Sequence, residues 1–168
     1  MGMLNRLLNR LAAVVPGGFS ARPFLQRLRG ARIGRRVWIG LGVYFDAVHP
    51  EAITVGDNCT IGLRVSILTH FYWGPRRPAA AAKPVVLEDE VFVGPHAVIL
   101  PGVTIGRGAV IQAGTVVARS VPPGVLWGHD PAHPLAQVTV PLTQETGYEQ
   151  YIWGLRRIGE AAKPPGRD

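Results

Sequence analysis

A chain of 168 residues, 47% hydrophobic and 17% charged, has room for one compact domain of ordinary size and little for a second core. Its 21 glycines and 15 prolines recur among aliphatic residues, which excludes collagen and low-complexity tracts and favours a globular fold rich in turns. The net charge of +7 rests on arginine far more than lysine and suits phosphate or carboxylate partners. The basic residues gather in the N-terminal arm, at Arg76–Arg77 and in the tail, without a recognition motif, so nucleic acid is not an expected partner.

At the N-terminus Leu4, Leu7, Leu8, Leu11 and Val15 follow the spacing of one helical face, with Asn5, Arg6, Asn9 and Arg10 opposite and Pro16-Gly17-Gly18 as the stop. The spacing predicts a helix within an arm over residues 1–30, packed on the body or on a neighbouring subunit. Weak contact of this basic helix with an anionic membrane surface is the second reading. Only Leu11–Val15 is uninterrupted, too short for an export signal, and no segment approaches the ~20 apolar residues of a membrane span. The single cysteine, Cys59, excludes an intrachain disulfide and fits a reducing compartment, so a cytoplasmic location is expected.

From Ile33 an apolar residue returns every six positions: Ile33, Ile39 and Phe45, then Val55, Ile61 and Ile67, then Leu87, Val93, Ile99, Ile105, Ile111 and Val117. Gly follows six of them, at Gly34, Gly40, Gly56, Gly62, Gly94 and Gly106, as if marking a corner conformation that a side chain would hinder. Four places on stand small or β-branched residues, from Val37 and Val43 to Thr115 and Val121. Six fits neither the 3.6 of a helix nor the 2 of a hairpin strand, so each hexad reads as a short strand plus a corner. Three per turn make an 18-residue coil, and stacked coils make a triangular prism with an aliphatic column inside. Breaks fall at residues 49–54 and 73–86. The domain runs over 31–134, including the second break as a loop, and is all-β.

Ile33–Pro122, together with the run KPVVLEDEVFVGPHAVILPGVTIGRGAVIQAGTVVARSV over 83–121 and the following Pro122-Pro123 and Asp130-Pro131-Ala132, resembles the hexapeptide-repeat acyltransferases, closest to their sugar and polysaccharide O-acetyltransferase branch. The resemblance covers more than half the chain. It implies a left-handed parallel β-helix, a homotrimer with active sites between subunits, and acetyl-CoA as acyl donor. The period alone gives no handedness.

His70 stands at the fourth place of its hexad, which turns it outward, and it directly precedes the long insertion. Imidazole, with an ordinary pKa near 6.5, suits proton abstraction from an alcohol. The resemblance places the catalytic histidine here and implies that His70 is the general base. By the same resemblance Pro95, Ala113, Gly114, Ala118, Arg119 and His133 would hold the cofactor. Arg119 would offer its guanidinium fork to CoA phosphates. Tyr72, Trp73 and, from a neighbouring subunit, His96 would meet a saccharide or small-alcohol acceptor.

Departures from the relatives' pattern are Phe71 in place of an acidic residue, Ala118 where a hydroxyl is common, and His133 in place of a basic residue. Glu88, Asp89 and Glu90 form an acidic corner, read first as a solvated turn and second as a source, in Glu88 or Asp89, of an acid to orient a histidine. No metal site is expected, because Pro131 opposes a helical pair of His129 and His133 and only His70 and His96 lie in regular coils. After the prism, Tyr148, Tyr151, Ile152, Leu155 and Ile158 predict a helix in an extension over 135–168 that ends in a loose tail. A non-catalytic trimeric or ligand-binding scaffold, and a transferase of longer acyl thioesters, are the competing readings.

Overall fold

A computed structural model describes residues 3–71, 82–128, 136–140 and 147–157. The chain divides into two compact units, Met1–His129 and Asp130–Asp168.

The first unit is a left-handed parallel β-helix capped by two helices. Its strands are two or three residues long, as a hexad with a corner requires. Coil one holds β1 (Arg32–Ile33), β2 (Trp38–Ile39) and β3 (Tyr44–Phe45). Coil two holds β4 (Ile53–Val55), β5 (Thr60–Ile61) and β6 (Ser66–Ile67). Coil three holds β7 (Val85–Leu87), β8 (Phe92–Val93) and β9 (Val98–Ile99). Coil four holds β10 (Thr104–Ile105), β11 (Val110–Ile111) and β12 (Val116–Val117), and β13 (Leu126–Trp127) opens a fifth. The coils build three parallel sheets, β1-β4-β7-β10, β2-β5-β8-β11-β13 and β3-β6-β9-β12. The register stacks Phe45 on Ile67, Ile67 on Ile99 and Ile99 on Val117.

Eleven of the twelve hexad leads are buried, and Ile33 at the capped end packs partly buried against them. The small and β-branched residues four places on are buried too, Cys59 among them. The glycines after the leads serve a purpose other than the one the pattern suggested. A Cβ on Gly62 would stand 2.6 Å from the Pro95 nitrogen, and one on Gly94 would stand 2.5 Å from the Ala113 nitrogen, so close stacking of backbones requires them. The left-handed corner conformation falls two places later, at Gly42, Arg64, His96 and Gly114 on one edge of the prism.

The N-terminal arm holds two helices, α1 (Met3–Val14) and α2 (Ala21–Leu28), of which the spacing revealed the first. The face of α1 that turns inward takes in only one edge of the leucine stripe. Ala12 is buried and Asn5 and Leu8 are half-buried, while Leu4, Leu7 and Leu11 are exposed. Polar anchoring explains the choice. The Asn5 amide donates to the Ala47 carbonyl and its oxygen accepts from Arg29 Nε at 2.7 Å. The open end of the prism beneath the arm has strand carbonyls to satisfy, and buried Arg22 and Arg29 donate to Ile39 and to Phe45 and Asp46.

In the second unit β14 (Ala136–Val138) pairs antiparallel with β15 (Leu155–Arg157), and α3 (Tyr148–Trp153) lies between them in sequence. The expected helix is therefore shorter than its spacing implied: it stops at Trp153, and Leu155 belongs to a strand. Ile158 and the tail 163–168 lie outside the described residues.

Candidate active site

Two insertions open the same edge of the prism, where the third sheet passes to the first. Between β3 and β4 the chain runs out through Asp46–His49 and a 3-10 turn at Pro50–Ala52; between β6 and β7 it leaves through His70 and Phe71 and returns at residues 82–84, the expected loop over 73–86 lying largely outside the described residues. Coil three turns the same corner in four residues, from Leu100 to Val103. Lys83 N donates to the Thr69 carbonyl at 2.8 Å, which holds the chain's departure and return side by side. The Lys83 ammonium lies 5.7 Å from the Phe71 ring centre.

Asp46 occupies the place that Leu68, Leu100 and Ala118 take in the coils stacked below, one residue after the inward lead. Its side chain is fully buried, and it is bonded on every side. Oδ1 accepts the Val48 and His49 backbone N–H groups at 2.8 and 3.3 Å, and Oδ2 accepts the Thr69 N–H at 2.8 Å. Oδ2 also lies 2.7 Å from His70 Nδ1. Burial alone would push the Asp46 carboxyl up, but the N–H groups of Thr69, Val48 and His49 outweigh it and hold the group below the ordinary carboxylate range. An ionised Asp46 only accepts hydrogen bonds, so His70 donates its Nδ1–H and Nε2 is the basic nitrogen. The His70 side chain keeps 16% of its exposure, oriented by the acid and reachable from outside.

The acidic corner at Glu88–Glu90 is a turn, as its first reading has it, and its second reading, an acid for a histidine, is not met. Glu88 Oε2 accepts the Arg107 N–H, and Asp89 Oδ1 accepts the Asp57 N–H. The carboxylate that contacts His70 is that of Asp46, 24 residues upstream and one coil away. His49 is the second residue that sequence reasoning missed. Its ring stands edge-on to His70 with centroids 5.9 Å apart, and its Nδ1 lies 3.0 Å from Glu51 Oε1.

A separate open groove of about 660 Å³ is lined by Gly114, Thr115, Val116, Ala118, Arg119, Trp127 and Gly128. Three of the nominated cofactor residues, Gly114, Ala118 and Arg119, meet there, and Trp127, which the pattern did not single out, joins them. The Arg119 guanidinium lies 5.2 Å from the Trp127 ring centre. Pro95 and Ala113 are exposed beside the groove, with Gly114 N donating to the Pro95 carbonyl at 2.8 Å. The strand before the groove, β12, and the strand before His70, β6, are two rungs apart in one sheet, roughly 10 Å along the prism.

His96 is exposed on the corner edge shared with Gly42, Arg64 and Gly114, and no contact joins it to Asp46 or His70. Tyr72, Trp73 and His133 lie outside the described residues. Among the described residues no group of three His, Cys, Asp or Glu side chains is placed to hold a metal ion.

Comparison with known proteins adds to this geometry. The profile "Bacterial transferase hexapeptide (six repeats)" matches residues 84–119, and "Hexapeptide repeat of succinyl-transferase" matches 30–62 and 52–68. YvoF of Bacillus subtilis (strain 168), which carries the name of an acetyltransferase, is 40% identical over 100 residues, 60% of this chain. The matched part spans 56% of YvoF, just over half its length. A hexapeptide-repeat acetyltransferase of Vibrio cholerae O1 biovar eltor, solved with acetyl coenzyme A, is 30% identical with a TM-score of 0.59. That likeness covers 77% of this chain and 82% of the other. A galactoside acetyltransferase solved with coenzyme A is 26% identical with a TM-score of 0.54, over 76% of this chain and 75% of the other. Other relatives carry the names of N-acetyltransferases.

Proposed function

The chain belongs to the hexapeptide-repeat acyltransferase family, and from that premise we propose that it moves the acetyl group of acetyl-CoA to a hydroxyl of a saccharide or small alcohol, with His70 as general base. The observation that carries this reading is the 2.7 Å contact between His70 Nδ1 and buried Asp46. It fixes the ring's tautomer and orientation, so that Nε2 can take the acceptor's proton as the oxygen attacks the thioester carbonyl. The new C–O bond gives a tetrahedral oxyanion. Collapse breaks the C–S bond, and the departing sulfur recovers the proton from the imidazolium, which Asp46 has stabilised meanwhile.

The groove beside β12 supports the donor end. Gly114 and Ala118 let an extended chain approach the backbone, and Arg119 offers paired donors to phosphate oxygens. The galactoside acetyltransferase among the structural neighbours supports a sugar acceptor.

A homotrimer is part of the same proposal. Leu41 and Leu63 stand 47% and 40% exposed on one edge of the prism, with Phe92, Val110 and Leu126 exposed on the adjoining sheet. Such a row on the outside of a prism suits a neighbouring subunit, whose His96 would then face the acceptor.

The test is release of CoA thiol from acetyl-CoA across a panel of sugars, alcohols and amines. His70→Ala is expected to lower kcat by about 10²–10⁴-fold. Asp46→Asn is expected to lower kcat by at least ~10²-fold with the acetyl-CoA KM little changed, because it touches the base and not the donor groove. Full activity in His70→Ala would remove the residue from its role, and amines accepted in place of alcohols would reassign the acceptor class.

A further inference from the structure

The face of α1 that packing leaves open combines leucine with arginine. Leu4, Leu7, Leu11 and Val14 are 68%, 53%, 43% and 71% exposed. At 100° per residue they fall within about 80° of arc. Arg6 and Arg10 follow next around the same side, both exposed and both without an ion pair among the described residues. Phe24 and Leu28 on α2, and Phe19 in the turn between the helices, are more than half exposed as well.

The charge surrounding this face has one sign. Eight arginines and no lysine, aspartate or glutamate precede Asp46, the first acidic residue of the chain. A second copy pairing through the same face would set Arg6 and Arg10 against their own counterparts, since a two-fold contact repeats each patch on both sides. A surface of anionic headgroups answers both properties at once: the leucines enter the acyl boundary and the arginines meet phosphate. With 12 residues α1 is too short to cross a bilayer, and no described helix is long and apolar enough to do so. It would lie in the plane of the interface.

We propose that the exposed face of α1 docks this protein reversibly on an anionic lipid surface. The proposal is independent of the acetyl-transfer reading. The test is co-sedimentation of the whole chain with vesicles of equal parts phosphatidylglycerol and phosphatidylcholine, against vesicles of phosphatidylcholine alone.

Binding to the mixed vesicles only, weakened by salt, is expected. Each exposed arginine should be worth roughly fivefold in affinity, so Arg6→Ala/Arg10→Ala should bind roughly 25-fold more weakly. Leu7→Glu/Leu11→Glu should abolish binding while circular dichroism and light scattering show fold and oligomeric state unchanged. No binding by the native chain, or equal binding to both vesicle types, would overturn the proposal. So would an oligomer that falls apart in Leu7→Glu/Leu11→Glu, which would show that a second copy covers the face.

Discussion

The edge of the prism between the third and first sheets is built in two ways, and the contrast separates scaffold from chemistry. In coil three it is a bare corner of four residues, Leu100–Val103, with Gly102 in the left-handed conformation. In coil one the same edge swells into an insertion that closes around Asp46, and in coil two it carries Thr69 and His70 up to that carboxylate. Where Ala118 stands exposed in the last full coil, the stacked equivalent in the first is a carboxylate at 0% exposure. A buried carboxylate survives only when its desolvation is answered by donors, and the insertion supplies them from Val48, His49 and, across the coil, Thr69. Repetition makes the rigid column, and departures from repetition create polar surroundings that a strict hexad has no atoms to provide.

Substitutions in the two kinds of region should fail in different ways. The largest stability effect belongs to the regular column. Ile99 is fully buried between Ile67 and Val117. Ile99→Ala should lower unfolding free energy by about 2–5 kcal/mol, measured by urea denaturation. It should leave the pH profile of turnover in the surviving folded fraction unaltered, because no polar contact of His70 runs through it.

The irregular edge should show its own signature in acid. The Asp46 carboxyl is held low in the folded state, so it contributes stability above the ordinary carboxylate pKa, and that contribution is lost as pH falls through the lower native value. The melting temperature should therefore drop on acidification below about pH 4. Asp46→Asn should be less stable at neutral pH by about 1–3 kcal/mol, since one amide oxygen cannot serve all three N–H donors. The difference between the two proteins should shrink in acid, and a constant gap from pH 7 to pH 3 would contradict the electrostatic account.

The same contrast explains which features could be read from the sequence. Ile33 to Val117 were legible because each inward residue repeats a constraint its neighbour also obeys, and the sixfold spacing is that constraint written linearly. His70 was legible through its place beside a break in the period and through the resemblance. Asp46 was not, because its partner is 24 residues away and a polar residue after a hexad lead looks like any exposed corner. Aligning the coils by their stacking register, so that Asp46 falls over Leu68, Leu100 and Ala118, would have exposed it as a charge out of place. The leucine stripe of α1 misled for a related reason. Periodicity identifies a face but not what it faces, and the bonds of Asn5 to Ala47 and Arg29 turned the side of Asn5, Leu8 and Ala12 inward. Trp127 follows the last regular coil and carries no periodic signal until it stands beside Arg119.

The smallest effect tests whether the groove beside β12 has altered the column behind it. Thr115 is the hydroxyl-bearing member of an inward row otherwise made of Val43, Val65 and Ala97, and it is 3% exposed on the wall of the groove. Its Oγ1 has no hydrogen-bond partner among the described residues. A buried hydroxyl without a partner costs about 1–3 kcal/mol, and valine has nearly the same shape without that cost. Thr115→Val should therefore raise stability by about 1 kcal/mol and the melting temperature by about 2–4 °C, measured by calorimetry. If the column alone fixes this position, the KM for acetyl-CoA should stay unchanged in the same variant. A rise in KM together with the gain in stability would mean that the hydroxyl turns to the ligand when the groove is filled. The row would then have given up a little packing at the coil where the regular prism borders the groove.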